Sequence, residues 1–224
     1  MSLILNIDTA LDEASVCLSE KGIPVQLATC AEQKDQGSWL HNTIRELFKA
    51  EGKNIKALNA VAVTIGPGSY TGLRLGLSAA KGFCYALNIP LITIGTLDLL
   101  ASVVKARKGQ LICPMIDARR MEVFTAIFDH HLQPVLPPQA LILDGKSFGE
   151  FLSSSKIIFV GNGSIKFSKI LSHPRAIFSP TKANSAHLGQ LSYPRFQKKI
   201  FADMVYSEPL YVKEFHTIEK RIER

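Results

Sequence analysis

The feature that most constrains the fold is a repeat. "NIDTALDEASVCL" (6–18) and "MIDARRMEVFTAIF" (115–128) each end an apolar run in an aspartate, Asp8 or Asp117, and resume after a short polar link. Further on, "IGPGS" and "VGNGS" each close an apolar run in Gly-x-Gly-Ser, at Gly66–Ser69 and Gly161–Ser164. Identity between the halves is low, but the order of parts is the same, and order is what a duplicated architecture preserves. Each half reads as three strands joined by tight links, a helix, a strand, a glycine turn and a second helix. The expectation is therefore two β-β-β-α-β-α lobes with mixed sheets, an α/β fold. The lobes are placed at 1–95 and 96–224, with 213–224 a charged tail expected to fray.

That duplicated plan is the arrangement of the actin and sugar-kinase class, an actin-like, ribonuclease-H-like fold. Such proteins hold a nucleotide between the lobes, with a carboxylate at each first-strand end and glycine turns around the phosphates. The 224 residues suffice for such a pair and for a substantial core. The opening "MSLILNIDTALDE" has no basic region and is read as a first strand, not a leader. No apolar run approaches a membrane span of about 20 residues. Cys17, Cys30, Cys84 and Cys113 form no C-x-x-C pair and are read as reduced thiols of a cytoplasmic protein. The net charge of +7 is uneven: residues 1–94 carry eight basic and eight acidic groups, and residues 95–194 eleven and six. That balance permits contact with a polyanion without requiring it.

Two helices of the first half matter for partners. In "SWLHNTIRELFKAEG" Leu40, Ile44, Leu47 and Phe48 make one apolar stripe, ended by Gly52. In "GLRLGLSAAKGFCYALN" Arg74, Ser78, Lys81, Tyr85 and Asn88 make one narrow polar stripe, and nearly all the rest is apolar. A helix of that kind is either internal or covered by a partner. Gly76 and Ala80, four apart, would let a second helix come close. For the second lobe, "SIKFSKILS" (164–172) and "NSAHLGQLSYPRFQKK" (184–199) are read as helices, the latter kinked or interrupted by Pro194. "SEPLYVKEF" (207–215) is read as an extended segment.

The loop "GPGSYTGLR" (66–74) looks made for an anion but matches no phosphate motif. A Walker loop would need a second glycine at Thr71 and a lysine after it; a dinucleotide loop would need its third glycine one residue before Gly72. A backbone anion nest at a helix start stays open, as does a tight turn kept for packing. Asp8 occupies the place of a magnesium-organising carboxylate, yet Thr9 and Ala10 follow where a glycine is wanted. Asp117 is followed by Ala118, Arg119 and Arg120, again without glycine. Two phosphate turns lacking their glycine point to an inactive ATPase pair. Arg119 and Arg120 could grip a phosphate or carboxylate, or be solvated. The histidines (41, 130, 131, 173, 187, 216) form no H-x-x-x-H pair, His130-His131 reading as a turn, and no G-x-S-x-G elbow exists. No catalytic or metal-ligating residue is assigned.

"ILNIDTALDEASVCL", "VAVTIGPGSYTGLRLGLSAAKG" and "MIDARRMEVFTAIFD" together resemble the TsaB/YeaZ family, from Leu3 to about Asp129. Beyond that, only "VGNG" and "PLYVK" are similar. The resemblance implies the non-catalytic subunit of the bacterial complex that forms N6-threonylcarbamoyladenosine beside the tRNA anticodon. It implies a TsaD-type partner that binds ATP and metal, a small TsaE-type ATPase, and a TsaC-type synthase supplying the intermediate. No cofactor of the chain's own is expected, and tRNA contact would be indirect. The family's pairing surface maps here to Trp39, Leu40, Thr43, Ile44 and Leu47 of the first helix. On the second helix it maps to Leu73, Gly76, Leu77, Ala80, Phe83 and Cys84, and alone the same surface would support a homodimer. Asp8, Gly66, Gly68, Ser69, Thr71, Gly72, Arg74, Asp117, Arg119 and Arg120 are the phosphate-turn remnants, possible nucleotide-edge contacts. One departure is "KDQGSWLH", with Gln36 and Gly37 where many members carry a His-Ser or His-Ala pair. The competing expectations are a self-sufficient ATP-dependent kinase of the same fold and a metallopeptidase.

Overall fold

The computed structural model describes residues 2–30 and 36–213, the side chain of Gln36 excepted. The tail expected to fray lies outside the described residues beyond Lys213. The first lobe runs β1 (Leu3–Asp8), β2 (Ala14–Glu20), β3 (Ile23–Cys30), α1 (Gln36–Ala50), β4 (Ala60–Thr64), α2 (Tyr70–Leu87), β5 (Leu91–Ile94) and α3 (Thr96–Ser102). The second repeats it with β6 (Gln110–Asp117), β7 (Glu122–Phe128), β8 (Pro134–Ile142), α4 (Gly149–Ser154), β9 (Lys156–Val160), α5 (Asn162–Phe167), β10 (Ala176–Ser179) and α6 (Ser185–Gln197). The sheet orders are β3-β2-β1-β4-β5 and β10-β9-β6-β7-β8, the same order in mirror listing. In each lobe a three-strand antiparallel meander is extended by two parallel strands, so both sheets are mixed. The duplicated α/β plan is present, and each lobe carries one more strand and helix than the repeating unit, β5 with α3 and β10 with α6; of these only α6 is read from the sequence.

The third helix of each repeat packs on the other repeat's sheet, although α3 starts at Thr96 and so falls within 96–224, the second lobe as bounded from the sequence. The sequence assigns α6 to the second lobe, but Leu188 of α6 packs with Ile4, Ala60, Ala62, Ile92 and Ile94 of the first sheet. Conversely, Leu97, Leu100 and Ala101 of α3 pack with Ile112, Ile116 and Val160 of the second sheet. The physical reason is coverage: α1 and α2 cover only one face of the first sheet. The other face, which presents Ile4, Ala60, Ala62, Ile92 and Ile94, needs a helix of its own. That is why every residue of β1 is buried. Asn6 interrupts this strand before Asp8 ends it. Asn6 donates through Nδ2 to the Ser19 hydroxyl (2.9 Å) and accepts from the Ser192 hydroxyl of α6 (2.8 Å), pinning the helix across the sheet.

The second core is aromatic, with Phe148, Phe159 and Phe167 in edge-on contact at 5.1–5.6 Å between centroids. Pro194 does not break α6, which runs through it to Gln197. Pro194 and Gln190, four residues earlier, both face outward, so water can satisfy the carbonyl that loses its donor. Cys17, Cys84 and Cys113 are buried free thiols, and burial pushes them up to about 12, 11 and 12; Cys30 is half-buried. His130 and His131 sit in the turn between β7 and β8.

Candidate functional site

The two first-strand aspartates mark where a nucleotide would sit in this fold, and the structure treats them differently. Asp8 is buried at the end of β1 and accepts from the Thr64 hydroxyl of β4 (2.8 Å) and from Ala10 N–H (3.2 Å). Burial raises its carboxyl above the ordinary range, while those two hydrogen bonds pull the other way. Its oxygen is engaged by the chain itself. Thr64 was missed from sequence because nothing but the register of β1 against β4 brings it there.

The glycine loop closes onto the same place. Ser69 N–H donates to the Ala10 carbonyl (2.8 Å), and the Thr9 hydroxyl donates to the Gly72 carbonyl (2.7 Å). A Cβ on Gly68 would strike the Ala10 carbonyl, and one on Gly72 the Thr9 carbonyl. The glycines therefore exist so that the β1–β2 turn can nest in the start of α2. A loop N–H that would point at a phosphate points at a carbonyl oxygen instead. The residues do not fit a triphosphate cradled between Asp8 and the glycine loop. Ser69 Oγ caps α2 by accepting from Gly72 N–H at 3.3 Å, and Thr71 is exposed beside it. Gly66 is covered by the C-terminal segment, where Leu210 N–H donates to the Ile65 carbonyl at 2.6 Å.

In the second lobe Asp117 is open to solvent. Partial burial pushes its carboxyl upward, and the Lys166 ammonium (2.8 Å) and Arg119 N–H (2.7 Å) outweigh that and hold it below the ordinary range. Lys166 also donates to the carbonyls of Arg119, Arg120 and Glu122, at 3.4, 3.0 and 2.5 Å. One lysine thus organises the whole β6–β7 turn, a role no sequence pattern signals. Asn162 bridges the lobes: Oδ1 accepts from Asp117 N–H (2.9 Å), and Nδ2 donates to Asp12 (3.0 Å). Arg74 lies with its Cζ 3.9 Å from the centre of the Tyr70 ring and donates to the Tyr211 hydroxyl (3.1 Å). The remnant residues thus gather in two groups, Asp8 with the glycine loop and Asp117 with its arginines. Among the described residues no three His, Cys, Asp or Glu side chains converge as a metal would require.

The surface read from the two helices needs correcting. Leu40, Ile44, Leu47, Leu77, Ala80 and Cys84 are buried in the first lobe's own core, against its sheet, and Leu73 is buried as well. Gly76 is buried too, and it brings α2 close to Thr9 and Val63 rather than to another helix. Trp39, Thr43 and Phe83 are half-buried at the rim. The outward face is instead His41, Asn42, Arg45 and Glu46 of α1 with Arg74, Ser78, Tyr85 and Ala86 of α2. Tyr85 is 80% exposed, and His41 stands 6.1 Å from Phe83, ring centre to ring centre, where the helices meet. No helix among the described residues is long and apolar enough to cross a membrane.

The family described as "TsaD: tRNA N6-adenosine threonylcarbamoyltransferase" matches residues 32–217. The tRNA threonylcarbamoyladenosine biosynthesis protein TsaB of Bacillus subtilis is 38% identical over 89 residues, 38% of each chain, so the match spans well under two thirds of that relative. TsaB of Haemophilus influenzae is 25% identical over 222 residues, covering 96% of this chain and 85% of the relative. A Pseudomonas aeruginosa structure, titled an uncharacterized protein with similarity to peptidase YeaZ, shares the fold with a TM-score of 0.82. It is 21% identical, over 95% of this chain and 100% of that one. The chain belongs to the family of the TsaD tRNA N6-adenosine threonylcarbamoyltransferases, and within it to the TsaB/YeaZ proteins.

Proposed function

We propose that the chain is an accessory, non-catalytic subunit in the formation of N6-threonylcarbamoyladenosine in tRNA, working in the cytoplasm. Its role is to pair with and support a TsaD-type transferase that carries the ATP and metal. A TsaE-type ATPase and a TsaC-type synthase complete the set, tRNA contact is indirect, and the chain pairs with itself when alone. The observation that carries the reading is the Ser69 N–H bound to the Ala10 carbonyl, with Asp8 buried beneath it. A phosphate turn closed by its own backbone suits a lobe kept for shape. The family profile is that of the transferase itself, so the accessory role rests on this site and on the relatives named TsaB. The outward α1–α2 face, with Tyr85 as its most exposed ring, is the contact surface in this reading.

Sedimentation of the chain alone and mixed with its TsaD-type counterpart tests the pairing. The expected result is a heterodimer that Tyr85→Glu weakens by about tenfold or more without lowering the melting temperature. A mixture that sediments as two separate species would contradict the proposal.

A further inference from the structure

Beside the filled cradle an open cleft of about 570 Å³ lies between the glycine loop, the β6–β7 turn and the C-terminal segment. Gly68 and Tyr70 form one wall, Arg119 and Arg120 a second, Tyr211 and Lys213 a third. The volume falls within the range of small-molecule sites, about 300–1,000 Å³. Its charge is lopsided. Lys213 is neutralised by Glu122, at 2.9 Å from each carboxylate oxygen. Asp117, the next acid along the turn, is held by Lys166. Among the described residues neither Arg119 nor Arg120 has a carboxylate partner within ion-pair distance. Arg74 lies over the Tyr70 ring and does not line the cleft.

The two guanidiniums also stem from a fixed base. Both residues have left-handed backbone (φ 67° and 46°), and Lys166 holds both of their carbonyls. Two arginine forks carried on one fixed turn in a concave site favour an oxyanion, since each fork can donate two parallel hydrogen bonds. Three walls closing on one another suit a compact ligand better than a continuous polynucleotide strand.

We propose that this cleft binds the phosphate-bearing end of a small ligand, with Arg119 and Arg120 as its anion clamp. The site does not depend on the accessory role, because an accessory subunit and a self-sufficient enzyme could both use it. Binding to the isolated chain and the need for the chain in tRNA modification therefore fail separately.

The test is a calorimetric titration of the full chain with sodium pyrophosphate, with sodium citrate at matched ionic strength as the carboxylate arm. Saturable pyrophosphate binding is expected, weakened about tenfold or more by Arg119→Asn and again by Arg120→Asn. Asparagine is chosen because it tolerates left-handed backbone. Arg120→Lys, which keeps the charge and loses the fork, should fall between. Lys108→Asn, at the opposite end of β6, should bind like the parent. Absence of saturable heat, equal weakening by Lys108→Asn, or citrate binding as tightly as pyrophosphate would each overturn the assignment.

Discussion

Asp8 and Asp117 occupy equivalent places in the repeat, and their surroundings give them opposite chemistry. Nothing local in the sequence separates them; the separation comes from Thr64 and the β1–β2 turn burying one, and Lys166 holding the other in water. What was legible was the alanine two residues after Asp8, which signalled that a phosphate could not approach as it does past a glycine. The buried carboxyl has a consequence for stability. Its folded pKa lies above the ordinary value of 3.8, so the folded state holds that proton more tightly than the unfolded chain does. The associated stabilisation is complete in acid below the ordinary value and is lost as pH rises through the folded value. Asp8→Asn cannot ionise and escapes that loss. The variant is expected to gain stability relative to the parent between about pH 4 and about pH 7, as read by thermal melts at both. A difference that stays flat or reverses over that range would show that burial does not govern this group.

At the level of elements, most of the repeating unit was readable, and β5, α3 and β10 were not. The first three strands and α2 follow directly from apolar runs, the glycine loop and the stripe of Arg74, Ser78, Lys81, Tyr85 and Asn88. The strand β5 has four residues, too few to show a period, and α3 has seven, with Leu97, Leu100 and Ala101 turned to the second sheet and Leu99 to the first, so it shows no single apolar stripe. Most residues named for the partner surface turn out to lie in the core, for a related reason: an apolar side chain does not reveal whether it faces its own sheet or another molecule. Two glycines of α2 show the difference between need and tolerance. Gly72→Ala pushes a Cβ into the Thr9 carbonyl and is expected to cost about 1–3 kcal/mol or more. Gly82→Ala meets nothing within 4 Å on an exposed face and is expected to add up to about 1 kcal/mol. Urea denaturation of both variants checks the pair. Equal effects would mean that the loop is not closed on the β1–β2 turn.

On the scale of the whole molecule, the repeat in the sequence revealed two lobes and concealed how they are tied. With α3 under the second sheet and α6 under the first, neither sheet is covered on both faces by its own lobe alone. The Asn6–Ser192 hydrogen bond and the Asn162–Asp12 hydrogen bond add polar ties across the same boundary. The lobes are therefore expected to unfold together, in one urea transition seen identically by Trp39 fluorescence in the first lobe and by far-ultraviolet dichroism of the whole chain. Two separated transitions would contradict that coupling. A molecule so tied, with its first phosphate turn sealed by its own backbone, fits the accessory role proposed above. The most direct measurement is an omit-one reconstitution: unmodified tRNA with the TsaD-, TsaE- and TsaC-type proteins, ATP, threonine and bicarbonate, with and without this chain. The nucleosides are then read by mass spectrometry. The account predicts N6-threonylcarbamoyladenosine only when the chain is present; equal modification without it would contradict the accessory role.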